Sequence, residues 1–100
     1  MTGKEASATE SFESFRARSL REGADEVLER RWSPGQMVAT HTHEFDARAL
    51  LTEGEMWLTF ASETRHLRAG DTFHVPAGTP HSEKYGPQGA TYWVARRNAR

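Results

Sequence analysis

Residues 36–51 read QMVATHTHEFDARALL, and the period of this stretch decides the fold. Taken as an extended strand, Met37, Ala39, His41, His43, Phe45, Ala47, Ala49 and Leu51 fall on one face. Gln36, Val38, Thr40, Thr42, Glu44, Asp46, Arg48 and Leu50 fall on the other, which is mostly polar and should meet solvent or a partner. Successive side chains of a strand alternate between faces, so the odd set should point inward. Small alanines beside two histidines leave room in an interior, which is how a barrel makes a cavity instead of a plug. His41 and His43 then project the same way and can grip one ion. On a helix the same pair would stand about 200° apart.

Outward from this stretch, turn-forming residues recur at regular intervals. They are Glu22-Gly23-Ala24-Asp25, Ser33-Pro34-Gly35, Glu53-Gly54, Ala61-Ser62-Glu63, Ala69-Gly70-Asp71, Pro76-Ala77-Gly78 and Gly86-Pro87-Gln88-Gly89. The runs between them are about five to ten residues, the length of strands. Many short strands at even spacing predict an all-β sandwich or closed barrel. Residues 1–11, MTGKEASATES, are small and polar and are expected to form a flexible arm. A barrel domain is expected over residues 12–97, with 98–100 as a tail. Phe12 to Arg31, rich in Glu, Arg and Ala, carries a weaker competing helical pattern.

A chain of 100 residues suits one domain. Its 13 Lys and Arg against 14 Asp and Glu leave a net charge of −1, which makes no electrostatic case for nucleic acid or an anionic membrane. No run of 18 apolar residues and no signal-like N-terminal apolar stretch occurs, so a cytoplasmic location is the default expectation. Cysteine is absent, which excludes disulfides, thiolate metal ligands and cysteine nucleophiles. His43-Glu44-Phe45-Asp46-Ala47 lacks the second histidine of a zinc-protease helix, and no Gly-x-Ser-x-Gly elbow or glycine-rich phosphate loop is present. Arg96, Arg97 and Arg100 read as a solvated basic end.

The second informative stretch is Gly70-Asp71-Thr72-Phe73-His74-Val75-Pro76-Ala77-Gly78-Thr79-Pro80-His81. It reads as a strand entering a rigid corner, where Pro76 fixes φ and Gly78 gives a permissive backbone that can aim His81. His74 has the opposite parity to Phe73 and Val75 and should face outward; His66, near a turn, should lie at the surface.

Together the two stretches resemble the two motifs of the cupin superfamily. In the first motif Gly35, five residues, His41-Thr42-His43 and Gly54 match; in the second, Gly70, five residues, Pro76-Ala77-Gly78, two residues and His81 match. The resemblance spans about residues 27–95. It implies a single jelly-roll β-barrel (a double-stranded β-helix) with one divalent metal, Fe, Mn, Ni, Cu or Zn, held by His41, His43 and His81. Two departures accompany it: Ala47 stands where the family's glutamate ligand falls, and Tyr85 where an asparagine is usual. Either a bulge after His43 turns Asp46 inward as a fourth ligand, or three histidines act alone and leave more positions open. Three neutral imidazoles would leave the ion its full charge as a Lewis acid.

Glu83 and Tyr85 alternate after His81 and are candidates for proton transfer, and Met37, Phe45, Ala47, Trp57, Phe73 and Tyr92 are candidate pocket walls. Small cupins of this kind resemble dioxygenases, isomerases, cyclases and lyases, which implies a metal-dependent enzyme acting on a small chelating oxygen-containing substrate. A non-catalytic binding or sensing module, as in the ligand-binding portions of bacterial regulators, is the second implication; output would then need a partner chain. A storage or stability barrel without functional metal is the third. The family's habit of pairing through sheet edges implies a homodimer, with Phe12–Leu20 as a swapped or edge-covering strand.

Overall fold

The computed structural model describes residues 10–98. Most of the expected arm, residues 1–9, and residues 99–100 of the expected tail lie outside that range. A helix, α1 (Phe12–Arg21), is followed by β1 (Glu26–Trp32), β2 (Met37–His41), β3 (Phe45–Phe60), β4 (Glu63–Arg68), β5 (Thr72–Val75) and β6 (His81–Asn98). All strand pairings are antiparallel.

Two long strands organise everything else. The first part of β3, residues 45–51, lies between β5 and the last part of β6, which takes β1 on its other side. The last part of β3, residues 56–60, lies between β4 and the first part of β6, which takes β2. One antiparallel sheet thus folds over into two layers, giving the all-β jelly-roll barrel. The fold line is marked by register shifts at Leu51/Glu53 and Gly54/Met56. Gly54 has φ +76°, and a Cβ there would sit 2.1 Å from the Gly89 carbonyl oxygen, so only glycine lets the strands approach. The sequence reading took Glu53-Gly54 and Gly86–Gly89 as turns between short strands. They are bends inside strands of 16 and 18 residues, because a bulge redirects a strand without ending it.

Leu51, Met56, Leu58, Val75 and Tyr85 are almost fully buried between the layers. Each such apolar side chain contributes about 1.5–3 kcal/mol relative to exposure. Alternation predicts this core from His41 to Leu51, where Ala47, Ala49 and Leu51 are buried; Leu50, which the same alternation puts on the outer face, is buried as well.

The Phe12–Leu20 stretch is a helix, which overturns the strand expected there and removes the swapping element proposed for a homodimer. The Ser11 side chain accepts from the Ser14 N–H at 3.0 Å as an N-cap, Glu13 sits in the first turn, and Arg18 and Arg21 in the last. Glu10 pairs with Arg18 at 2.6 Å, so both of these last residues of the expected arm serve the helix. Phe12 and Phe15 pack against the Trp93 ring at 5.7 and 5.8 Å, laying α1 on the outer face of β1 and β6. At the other end the Asn98 N–H donates to Asp25 at 2.8 Å. Among the described residues no helix is long and apolar enough to cross a membrane.

Candidate metal centre

His41 ends β2, His43 lies in the short link before β3, and His81 opens β6. The link is pinned from outside: the Gly78 N–H, in the Pro76-Ala77-Gly78 corner, donates to the His43 carbonyl at 2.9 Å. His41 pairs in register with His81. The two motifs therefore meet, and the three rings gather with centroids 4.3 Å (His41–His81), 4.8 Å (His43–His81) and 5.8 Å (His41–His43) apart. One ligating atom from each of the three lies within 4.8 Å of the others.

Their orientation is set by the backbone. His41 Nδ1 contacts the Ala39 carbonyl at 2.8 Å, His43 Nδ1 the Phe45 carbonyl at 3.1 Å, and His81 Nδ1 the Thr79 carbonyl at 2.9 Å. A carbonyl oxygen can only accept, so each Nδ1 carries a proton, and in the neutral ring Nε2 is the atom left to coordinate. Such contacts fix tautomer and ring angle in metal-binding histidines. Burial holds the His43 imidazole below its ordinary value of 6.5, opposed by the Phe45 carbonyl and reinforced by the charges of His81, His41 and Arg96. Low basicity favours the neutral, coordinating form. This donor set fits a divalent transition-metal ion.

The histidines line a cavity of about 190 Å³ with Val38, Phe45, Ala47, Phe73, Glu83 and Tyr92. Of the walls expected from the sequence, Phe45, Ala47, Phe73 and Tyr92 are thus in place. Met37 and Trp57 are not. Met37 is 72% exposed, and Trp57 lies on the outer face, stacked on His66 at 4.5 Å. For Met37 the cause is a register shift in β2: Val38 pairs with Glu83 but His41 with His81, one residue more than regular pairing allows. The bulge precedes His41, flips the earlier parity and turns Val38 inward in place of Met37.

Asp46 faces away from the histidines. Its carboxylate takes His74 Nε2 at 2.9 Å and lies 3.9 Å from Arg48 Nε, so it is not a fourth member of the cluster. Glu83 stands beside two of the histidines: it is buried, and its Oε2 lies 3.9 Å from His41 Nε2 and 3.8 Å from His81 Nε2. Its Oε1 accepts the Tyr85 hydroxyl. Tyr85 itself stands behind the wall, stacked on Trp32 at 4.9 Å. Burial first, then the charges of Tyr92 and Glu83, push its phenol far above the ordinary range. Burial and the Glu83 charge raise Tyr92 to about 12. Both phenols are neutral donors at physiological pH.

Arg30, Trp32 and Arg96 also line the cavity, and the sequence reading missed all three. Arg96 is not the solvated end expected of it. Its guanidinium lies 4.5 Å over the Phe45 ring, which stacks at 4.1 Å on His43. The available signal was parity, since Tyr92, Val94 and Arg96 share one face of β6.

With fold and cluster in view, comparison with known proteins settles the family: the sequence profile of the cupin domain matches residues 29–85. The chain is a cupin. Over 36 residues it is 44% identical to an uncharacterized HTH-type transcriptional regulator of Haemophilus influenzae, a stretch covering 36% of this cupin and 12% of the regulator. A crystal structure of DMSP lyases is similar with a TM-score of 0.67 and 23% identity, over 73% of this chain and 38% of that one. Bacillus subtilis oxalate decarboxylase, studied for its Mn(II) centres, is similar with a TM-score of 0.65 and 25% identity, over 72% of this chain and 20% of that one. The chain therefore spans well under two thirds of each of these relatives.

Proposed function

We propose that this cupin is a metal-dependent enzyme acting on a small, oxygen-containing, chelating substrate at a divalent ion held by His41, His43 and His81. The observation that carries the reading is the convergence of three imidazoles, each oriented by its own Nδ1–carbonyl contact. The ion would supply Lewis acidity toward a coordinated oxygen, and redox capacity if it is iron or manganese. The protein supplies the remainder. Phe45, Phe73 and Val75 exclude water, and about 190 Å³ admits a substrate smaller than the drug-sized ligands of about 300–1,000 Å³ pockets. Arg30 and Arg96 place positive charge in the same wall, and Arg96 Nε has no hydrogen-bond partner. That charge and donor favour a substrate that brings oxygen acceptors and negative charge. The similarity to oxalate decarboxylase, an enzyme with Mn(II) centres, supports the reading at the level of a metal centre acting on a small acid.

The test is metal analysis of untagged protein, followed by loading the apo-protein with Fe²⁺ or Mn²⁺ and assaying a panel of small hydroxy-, keto- and dicarboxylic acids. Stoichiometric metal with turnover of at least one acid is expected. A metal-loaded protein inert across the panel would argue for the second reading, a ligand-sensing module, which the match to the regulator favours. In that case the same acids would raise the melting temperature by mass action without being consumed.

A further inference from the structure

We infer that Glu83 supplies the carboxylate ligand that this family usually takes from the position of Ala47, so that the site is three histidines and one glutamate with the acid moved from β3 to β6. The inference rests on the metal site proposed above. Glu83 is the one acid among the residues lining the histidine cavity. It stands two residues after His81 on β6, so both side chains project to the same face. Its backbone is held there by pairing with Val38, beside the bulge that precedes His41.

The geometry leaves room for an ion between these groups. Each Nδ1 is committed to a carbonyl, so Nε2 is the ring atom that His41 and His81 have left to coordinate. Glu83 Oε2 lies 3.9 and 3.8 Å from the two nitrogens, too far for direct hydrogen bonds. Both separations fall within the roughly 4.2 Å that two ligands at about 2.1 Å from one ion can span, so Glu83 would be able to hold an ion together with His41 and His81. Tyr85 completes the arrangement by donating to Oε1, which fixes the carboxylate and leaves Oε2 to face the imidazoles. Glu83 is then a ligand and not the proton-transfer group suggested by the sequence, and Tyr85 is a positioning residue. One carboxylate lowers the charge of the loaded site by one and moves its preference toward Mn²⁺ and Fe²⁺.

The test measures Mn²⁺ affinity of the apo-protein by titration, and the visible bands of the Co²⁺-loaded protein, for wild type, Glu83→Gln, the double variant Glu83→Gln/Ala47→Glu and His81→Ala. Glu83→Gln should weaken Mn²⁺ binding at least about 100-fold, at or beyond the 10–100-fold of an outer-sphere loss, and shift the Co²⁺ bands. Returning a carboxylate at residue 47 should recover part of the affinity. Wild-type affinity with unchanged Co²⁺ bands in Glu83→Gln, while His81→Ala abolishes binding, overturns the Glu83 assignment and leaves the three-histidine site standing. Binding that survives His81→Ala overturns both. Should Glu83→Gln not fold, Glu83→Asp keeps the charge but withdraws the carboxylate by one methylene; unchanged affinity there overturns the assignment equally.

Discussion

Two histidine-bearing regions lie on opposite faces of the same strands, and they have opposite characters. Inside the barrel, His41, His43 and His81 line a small cavity with Glu83 beside His41 and His81. Outside, in a cleft of about 500 Å³ under α1, His74 and Asp46 meet directly at 2.9 Å, flanked by Arg48 and Arg97. The residue types are the same: imidazole, carboxylate and guanidinium. The difference is where the ring proton is spent. Indoors the backbone takes Nδ1 and leaves Nε2 without a protein partner, whereas outdoors Nε2 already has its carboxylate. A metal centre is thus recognised by unsatisfied convergence, and a histidine–carboxylate contact by itself marks a satisfied surface pair.

The sharpest way to break this comparison is to remove an inner imidazole. His81 is buried at the cavity floor, and His81→Ala should eliminate stoichiometric metal from the purified protein, read by elemental analysis. Full retention would mean that the inner cluster is no centre at all.

Acidification should act next most strongly, and only on the inner region's function. The folded-state value of His43 lies below the ordinary 6.5, so the unfolded chain takes up its proton first as pH falls. The stability gained by keeping this ring neutral is therefore complete above about 6.5 and is lost as pH drops through the lowered folded-state value. Protons and metal compete for the same Nε2, so bound metal should leave below about pH 6. Metal content after dialysis across pH 7.5 to 4, with apo-protein melting temperatures over the same range, checks both. Metal retained at pH 4 would exclude histidine-dominated ligation.

The outer region should instead report on the fold. Phe15 is buried against Trp93, and Phe15→Ala should cost about 3 kcal/mol through loss of a large packed ring. Metal affinity should stay at the wild-type level. Urea denaturation and metal titration of the same variant separate the two effects; a matching loss of metal would show that α1 supports the site.

How much of this was legible beforehand differs between the regions for a physical reason. The Gly70–His81 corner was readable because proline and glycine constrain backbone geometry residue by residue, and so was the alternation from His41 to Leu51. The bulge before His41 was not. A single extra residue leaves no compositional trace, yet it exchanged Met37 for Val38 in the wall. Glu83 was noticed by parity, but its distance to the imidazoles depends on where β2 meets β6, a long-range fact. Helix α1 was obscured because its contacts inward come mainly from Phe12 and Phe15, too sparse a stripe to outweigh the barrel pattern that follows. Ser11 and Glu13 were the local signs of its start.

The smallest effect is the most discriminating about the outer pair. His74 and Asp46 are each about one-third exposed, so their contact is screened by water and should be worth under about 1 kcal/mol. His74→Gln keeps a hydrogen-bonding group facing Asp46 while removing any charge. It should leave metal content, Co²⁺ bands and cavity-ligand binding at wild-type values, with the melting temperature moved by a few degrees at most. If His74→Gln instead perturbed the Co²⁺ spectrum, the two faces would be coupled through β3, where Asp46 directly precedes the cavity residue Ala47. A one-residue step along a strand reverses which way a side chain points but leaves the backbone shared. Movement of Asp46 is therefore the shortest mechanical route from the outer cleft to the metal site.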